Sequence, residues 1–244
     1  MDVKKYFDRL GLELPEMIVP DSELLRKVHL AHCCRVPYEN LDMIRGIPTS
    51  LEEDALFRKI VEEGKGGICF ELNGSLGNLL RALGYQVTDY AARYLRGEST
   101  LPMRRHRVPK VEATDGVWLC DVGVGEVCQR EPVALVEGLE QHQFGETYKL
   151  TREEFLGWVL WDFHKGAWRK FYSFTEEPQL VADFIAGNFY CEKHPLFFLC
   201  HIQTVQKNLP VKPKQHIAHV KQNILNHKLH PFPLLSDHSY FRPN

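Results

Sequence analysis

Lys65-Gly66-Gly67-Ile68-Cys69-Phe70-Glu71-Leu72-Asn73 constrains this chain more than any other stretch, because two glycines lead into a cysteine at which a helical pattern begins. Phe70, Leu72, Leu76, Leu79, Leu80 and Leu83 follow at mixed three- and four-residue steps, the pattern of a helix buried on more than one side. Gly84 is placed to end that helix in the left-handed conformation. Cys69 then falls in the first turn, where unpaired backbone N–H groups and the helix dipole favour a thiolate, so the thiol pKa is predicted to fall. A buried cysteine acting as a small hydrophobe is the plain alternative. A nucleophile also needs a base.

His106 opens an alternating stretch, His106-Arg107-Val108-Pro109-Lys110-Val111, and Gly116-Val117-Trp118-Leu119-Cys120-Asp121-Val122-Gly123 follows as an apolar run stopped by glycine. Both read as strands, joined by a turn near Asp115-Gly116 that brings His106 and Asp121 side by side. An imidazole held by a carboxylate on one nitrogen can face a sulfur with the other, so Cys69, His106 and Asp121 can form a thiol triad. Pro109 cannot donate to a ladder, which predicts an edge or a bulge there.

Four blocks carry a resemblance in the right order: Val36-Pro37-Tyr38-Glu39-Asn40-Leu41, Gly66-Gly67-Ile68-Cys69-Phe70-Glu71-Leu72-Asn73, His106, and Asp121-Val122-Gly123-Val124-Gly125. Together they resemble the arylamine N-acetyltransferase family over about residues 20 to 190. The resemblance implies an α+β fold related in layout to papain-like cysteine proteases. It has a helical subdomain presenting the nucleophile, an antiparallel β-barrel subdomain and a C-terminal lid segment, which is short and atypical in this chain. It implies acetyl-CoA-dependent transfer to arylamines or arylhydrazines through an acetyl-cysteine, with coenzyme A as partner and no metal. Cys69 is then the nucleophile, His106 the base and acid, and Asp121 its orienter. Tyr38, Ile68, Phe70 and Val124 are the pocket residues, and Glu39, Asn40 and Lys65 brace the site. Lys65 stands where the family has an arginine, Ile68 where it has an aromatic and Val124 where it has a phenylalanine, so looser bracing and a wider pocket follow. The rival readings are a papain-like or transglutaminase-like hydrolase and a family member with an impaired coenzyme A cleft.

Composition bounds the rest. A chain of 244 residues with formal charge −2 and no basic stripe in its first 190 residues argues against a nucleic-acid partner. No run reaches membrane-spanning length, and Met1-Asp2-Val3-Lys4-Lys5-Tyr6 leads into an amphipathic stretch without a secretory apolar core. Seven cysteines, at 33, 34, 69, 120, 128, 191 and 200, form no CxxC pair, which suits free thiols in a reducing cytoplasm.

The pattern divides into residues 1–84, helical; 85–176, the barrel strands; and 177–244, a helix followed by the tail. Helices are predicted over 2–10, from Ser22 to Cys34, and from a capping box at Ser50 with Glu53 reaching back. Strands are predicted near 87–95, 107–112, 117–122 and 148–150, with a hairpin over 158–163 and 168–173. Pro178 is read as opening a helix to Phe189 with Leu180, Val181, Phe184 and Ile185 inward.

Residues 201–244 break the pattern. They hold six of the twelve histidines, five prolines, six Lys or Arg, one acid and no glycine. This reversal of charge admits a divergent lid whose basic residues attract coenzyme A phosphates, or a shifted reading frame that impairs the cleft. Cys191, His194, Cys200 and His201 lack the spacing of a closed zinc site.

Overall fold

The computed structural model describes residues 1–125 and 129–194 and the backbone of 205–206. Cys128, Cys200, His201 and residues 207–244 lie outside the described residues. Helix α1 (Val3–Leu10) is capped by the Asp2 carboxylate on Lys5 N, and α2 (Ser22–Arg35) by Asp21 on Leu24 N. Strand β1 (Tyr38–Glu39) and the short α3 (Leu41–Ile44) follow. Helix α4 (Glu53–Phe57) runs into a π turn at Arg58–Glu62.

Ser50 is not the cap of that helix. Thr49 Oγ1 donates to Glu192 and accepts from Asn188, and Leu51 is buried, so residues 49–51 are held by tertiary contacts and α4 starts three residues later. Ser50 Oγ accepts only from Glu52 N, at 3.4 Å.

Helix α5 (Cys69–Ala82) is the centre of the molecule. Leu72, Leu76, Leu79, Leu80 and Leu83 pack with Tyr6, Phe7 and Leu10 of α1, with Leu25 and Val28 of α2, and with Val111 on the sheet. It ends as the sequence requires. Gly84 takes φ +89°, its N–H reaches Arg81 O at 3.0 Å, and Tyr85 N reaches Leu80 O at 3.0 Å. That pair of bonds is a Schellman stop, available to glycine without side-chain strain.

The chain then turns to strands: β2 (Gln86–Tyr94), β3 (His106–Ala113), β4 (Gly116–Leu119), β5 (Val133–Ala134), β6 (Gln141–Gln143), β7 (Glu146–Glu153), β8 (Gly157–His164) and β9 (Ala167–Pro178). They form one antiparallel sheet in the order β5-β4-β3-β2-β9-β8-β7-β6. Tyr90, Val108, Tyr148, Leu150, Leu160, Tyr172 and Phe174 fill its concave side. Two glutamines draw its edges together. Gln141 Oε1 accepts from Ala134 N at 2.7 Å while its Nε2 donates to Ala134 O at 3.0 Å. Gln143 repeats this with the Glu131 backbone, at 2.8 and 3.1 Å. Each amide stands in for a peptide of the missing ladder, so the sheet is nearly a closed barrel and hides its edges.

Pro109 lies in a central strand, not an edge. Its carbonyl accepts from Cys120 N at 2.9 Å just past the last β3–β4 pair, Lys110 with Leu119, so the missing N–H falls where the ladder has already ended. The predicted helix from Pro178 is also corrected. Pro178 pairs with Tyr90 and Gln179 N bonds Asp89 O, which extends β9. A 3-10 turn (Val181–Phe184) precedes α6 (Ile185–Lys193), and the Asp183 carboxylate caps Leu180 N at 2.7 Å. Of the four residues expected inward only Phe184 is buried, while Leu180, Val181 and Ile185 are exposed. Strand β10 (Val205–Gln206) pairs antiparallel with β1. Among the described residues no helix is long and apolar enough to cross a membrane.

Candidate active site

Backbone pairing places the start of α5. Glu39 N donates to Gly67 O at 2.9 Å and Gly67 N to Pro37 O at 3.3 Å, so residues 37–39 and 66–67 run as a short bridge. A Cβ on Gly66 would lie 1.9 Å from Pro37 O, so only glycine permits this approach. Glu39 clamps the join, with one carboxylate oxygen accepting from Gly66 N at 3.2 Å and the other from Leu41 N at 2.6 Å. Asn40 is buried beside it at the start of α3.

Lys65 does not reach Glu39. Its Nζ lies 2.9 Å from Glu63 and 3.5 Å from Asp42. The cation that serves the buried carboxylates is Lys59, 2.7 Å from Glu71 and 3.3 Å from Asp42. Glu71 returns its other oxygen to Ile68 N at 3.0 Å and so caps α5 from the third helical position. Burial pushes the Glu71 carboxyl up, with Lys59 opposing.

Cys69 is the first residue of α5 and is 7% exposed, so its sulfur is nearly dry. His106 opens β3 opposite Ala92, and its ring lies 5.4 Å from the Tyr172 ring. Cys69 and His106 lie close enough for each to shift the other's pKa. His106 Nε2 is 2.8 Å from Asp121 Oδ2, which leaves Nδ1 for the sulfur. Asp121 lies just past β4, where the chain leaves the ladder and bends onto α5.

Asn73, one turn along α5 from Cys69, fixes that bend. Its Nδ2 donates to Asp121 Oδ1 at 2.8 Å and to Arg107 O at 2.6 Å, and its Oδ1 accepts from Val122 N at 2.9 Å. Gly123 N completes the Asp121 shell at 2.9 Å. A Cβ on Gly123 would sit 2.7 Å from Cys69 Cα, so this glycine lets the bend touch the helix start. Behind it, Asp121 N donates to His29 Nε2 at 3.2 Å, and His29 Nδ1 faces Arg130 O at 3.1 Å. His29 is therefore the Nδ1–H tautomer; burial lowers its pKa to about 4, so it stays neutral.

Electrostatics set the proton positions. Burial by itself would lower His106, but Asp121 and then Cys69 outweigh it and raise the imidazole to about 10. Burial opposes ionisation of Asp121 as well, and the His106, Asn73 and Gly123 contacts prevail, holding the carboxyl below its usual range. Cys69 departs from the sequence expectation: burial raises the thiol, and the neighbouring His106 only partly offsets it. The imidazole therefore carries its proton at neutral pH, and that cation, backed by Asp121, faces the buried sulfur.

The four pocket residues divide. Ile68 and Phe70 are fully buried, in a cluster with Met43, Leu51, Phe184 and Cys191 beneath the sulfur. Tyr38 and Val124 are half-buried. Sequence reading missed Asn73, Glu71, Lys59, His29 and Cys191. Asn73 had a signal, since positions 69 and 73 share a helix face, and Glu71 had one as the third residue of the helix. His29 had none, lying 92 residues from its partner. Cys191 Sγ and Cys69 Sγ converge on one acceptor, Arg105 O, at 4.0 and 3.9 Å. Among the described residues no disulfide joins Cys33, Cys34, Cys69, Cys120 or Cys191. Among the described residues no three His, Cys, Asp or Glu side chains are grouped to hold a metal.

Known proteins resemble this chain along most of its length. The N-acetyltransferase family model matches residues 21–219, so the likeness runs past about residue 190, where the resemblance read from the sequence stops. The arylamine N-acetyltransferase of Mycolicibacterium smegmatis is 36% identical over 207 residues, covering 80% of this chain and 72% of that protein. The arylamine N-acetyltransferase / N-hydroxyarylamine O-acetyltransferase of Salmonella typhimurium is 34% identical over 84% of this chain and 72% of its own length. A solved arylamine N-acetyltransferase from Salmonella typhimurium superposes with a TM-score of 0.81, covering 85% of this chain and 75% of that one. The Mycobacterium marinum arylamine N-acetyltransferase in complex with CoA superposes at 0.77, with 29% identity over 84% of this chain and 76% of that one. A match across most of the chain makes the protein a member of the arylamine N-acetyltransferase family of acyltransferases.

Proposed function

We propose that the protein carries an acetyl group from acetyl-CoA to an arylamine or arylhydrazine by way of an acetyl thioester on Cys69. The observation that carries this reading is a helix-start thiol beside an imidazole whose far nitrogen is held by a buried carboxylate. In the first half-reaction the Cys69 sulfur attacks the thioester carbonyl as a thiolate, with the proton of the pair held on His106. The tetrahedral intermediate collapses, the C–S bond to coenzyme A breaks, and His106 returns the proton to the departing thiolate. In the second, the acceptor nitrogen attacks acetyl-Cys69, His106 takes its proton, and that proton goes back to the Cys69 sulfur. Free N–H groups in the first turn of α5 suit the developing oxyanion.

Asp121 holds the imidazole by Nε2 and so turns Nδ1 toward the sulfur. Its ionised state supports the imidazolium at each transfer. Half-buried Tyr38 and Val124 are assigned to the acceptor pocket, while Ile68 and Phe70 act from below by fixing the helix start. Glu39 and Asn40 brace the glycine bridge. Initial rates of coenzyme A release with acetyl-CoA and aniline as variable substrates test the scheme. Parallel double-reciprocal lines, lost in Cys69→Ala, are expected; intersecting lines would mean direct transfer in a ternary complex and would overturn the acetyl-cysteine route.

A further inference from the structure

Asp121 is held by its carboxylate and, separately, by its backbone. Asn73 Nδ2 and Gly123 N bond Oδ1 while His106 takes Oδ2, which fixes how the carboxylate turns. The backbone has run out of ladder at this point. The last β3–β4 pair is Lys110 with Leu119, and Cys120 N still finds Pro109 O, but Asp121 N donates to His29 Nε2 at 3.2 Å. An imidazole from α2 thus replaces the strand acceptor where the chain bends onto α5.

The other ring nitrogen holds the same excursion at its far end. His29 Nδ1–H donates to Arg130 O at 3.1 Å, and Cys33, one turn further along α2, donates from Sγ to Gln129 O at 3.5 Å. The chain leaves the sheet at Asp121 and returns through Arg130 to Glu131, whose backbone joins the barrel seam at Gln143. One rigid ring therefore ties the exit to the return. His29, Asp121 and Arg130 are 0, 1 and 6% exposed, so water does not compete for these bonds.

The position is exacting about residue type. It needs an acceptor and a donor back to back without net charge. A carboxylate there would set a second anion beside Asp121 and raise its pKa. An ammonium or guanidinium would offer Asp121 N no acceptor and would compete with His106 for the carboxylate. A neutral imidazole meets both demands, and burial keeps it neutral.

We propose that His29 is a positioning residue of the Cys69–His106–Asp121 triad, acting through the Asp121 peptide to hold the carboxylate against His106 Nε2. The inference rests on the reading of those three residues as the reacting group.

Two substitutions separate the two bonds of the ring. His29→Gln carries an amide to the Nε2 position and can still accept from Asp121 N. His29→Asn ends at the Nδ1 position, so it can donate to Arg130 O but leaves Asp121 N bare. Both lose ring volume, and urea unfolding should show similar destabilisation. Cys69 chemistry should tell them apart. The rate of Cys69 alkylation by iodoacetamide across pH reads the thiolate–imidazolium pair without any acetyl donor. In His29→Asn the midpoint of that profile is expected to rise by about one pH unit, making alkylation about tenfold slower at pH 7. His29→Gln should keep the parental profile. Acetylation at saturating acetyl-CoA should follow the same order, with the concentration for half-maximal acetylation unchanged.

A parental profile in His29→Asn, or equal shifts in both variants, would overturn the proposal. If neither variant folds, the parent decides. A long-range ¹H–¹⁵N spectrum with the proton of His29 on Nδ1 supports the assignment, and a proton on Nε2 would overturn it. A parent that is alkylated with this profile but never acetylated removes the acetyl-CoA reading alone, and the role of His29 is still decided by the variants.

Discussion

Asn73 uses its whole amide at the point where a helix, a strand and a turn meet. Its three bonds reach Asp121, Arg107 O and Val122 N, all buried. Asn73→Ala would strand a carboxylate oxygen and a backbone N–H, so a loss of about 2 kcal/mol in stability is expected, read from urea unfolding. Freed from one side, Asp121 also loses its hold on His106, and Cys69 acetylation should slow at least tenfold. A variant with parental acetylation would show that Asp121 is placed by Gly123 and His29 alone. At this scale Cys69, His106 and Asp121 were legible because their chemistry demands those residue types. Asn73 and His29 were not, because an amide or a neutral imidazole acquires its meaning only from what the fold sets against it. The thiol pKa was misjudged for the same reason: helix position is visible in sequence, and burial of the sulfur is not.

Among the elements, α5 and its Gly84 stop follow from local sequence, since leucine spacing and a left-handed glycine act within a few residues. The α4 start and the β9 end do not. Thr49 is captured by Asn188 and Glu192, and Pro178 by Tyr90, partners more than 80 residues away in each case. The pairing of β5 with β6 was likewise invisible, because it is made by Gln141 and Gln143 side chains rather than by strand pattern. Gln143→Ala removes both bonds to the Glu131 backbone, and about 1–2 kcal/mol is expected to be lost. Faster amide exchange confined to residues 131–134 would accompany it. Exchange spread evenly over the sheet would mean that the barrel does not depend on this seam.

For the molecule as a whole, buried histidines make stability depend on pH in two opposite ways. Burial lowers His29 to about 4 and His32 to about 3, while unfolded histidine titrates near 6.5. Between those values the unfolded chain binds more protons, so stability is full above about 6.5 and is lost as pH falls through 4 and 3. The slope is on the order of 1 kcal/mol per pH unit for each group, and His32→Gln should flatten it in urea melts from pH 7 to 4.5. His106 runs the other way. Its folded pKa of about 10 gives stability that is complete below 6.5 and lost as pH rises through 10, a loss that His106→Gln should remove. The central claim, however, is the acetyl-cysteine. Intact-mass spectrometry after mixing the protein with acetyl-CoA, without any amine and with an acid quench, tests it most directly. One added acetyl group in the parent and none in Cys69→Ala is the expected result. An unmodified parent whose Cys69 still reacts with a small alkylating agent would contradict it, leaving a live thiol that does not accept the acetyl group.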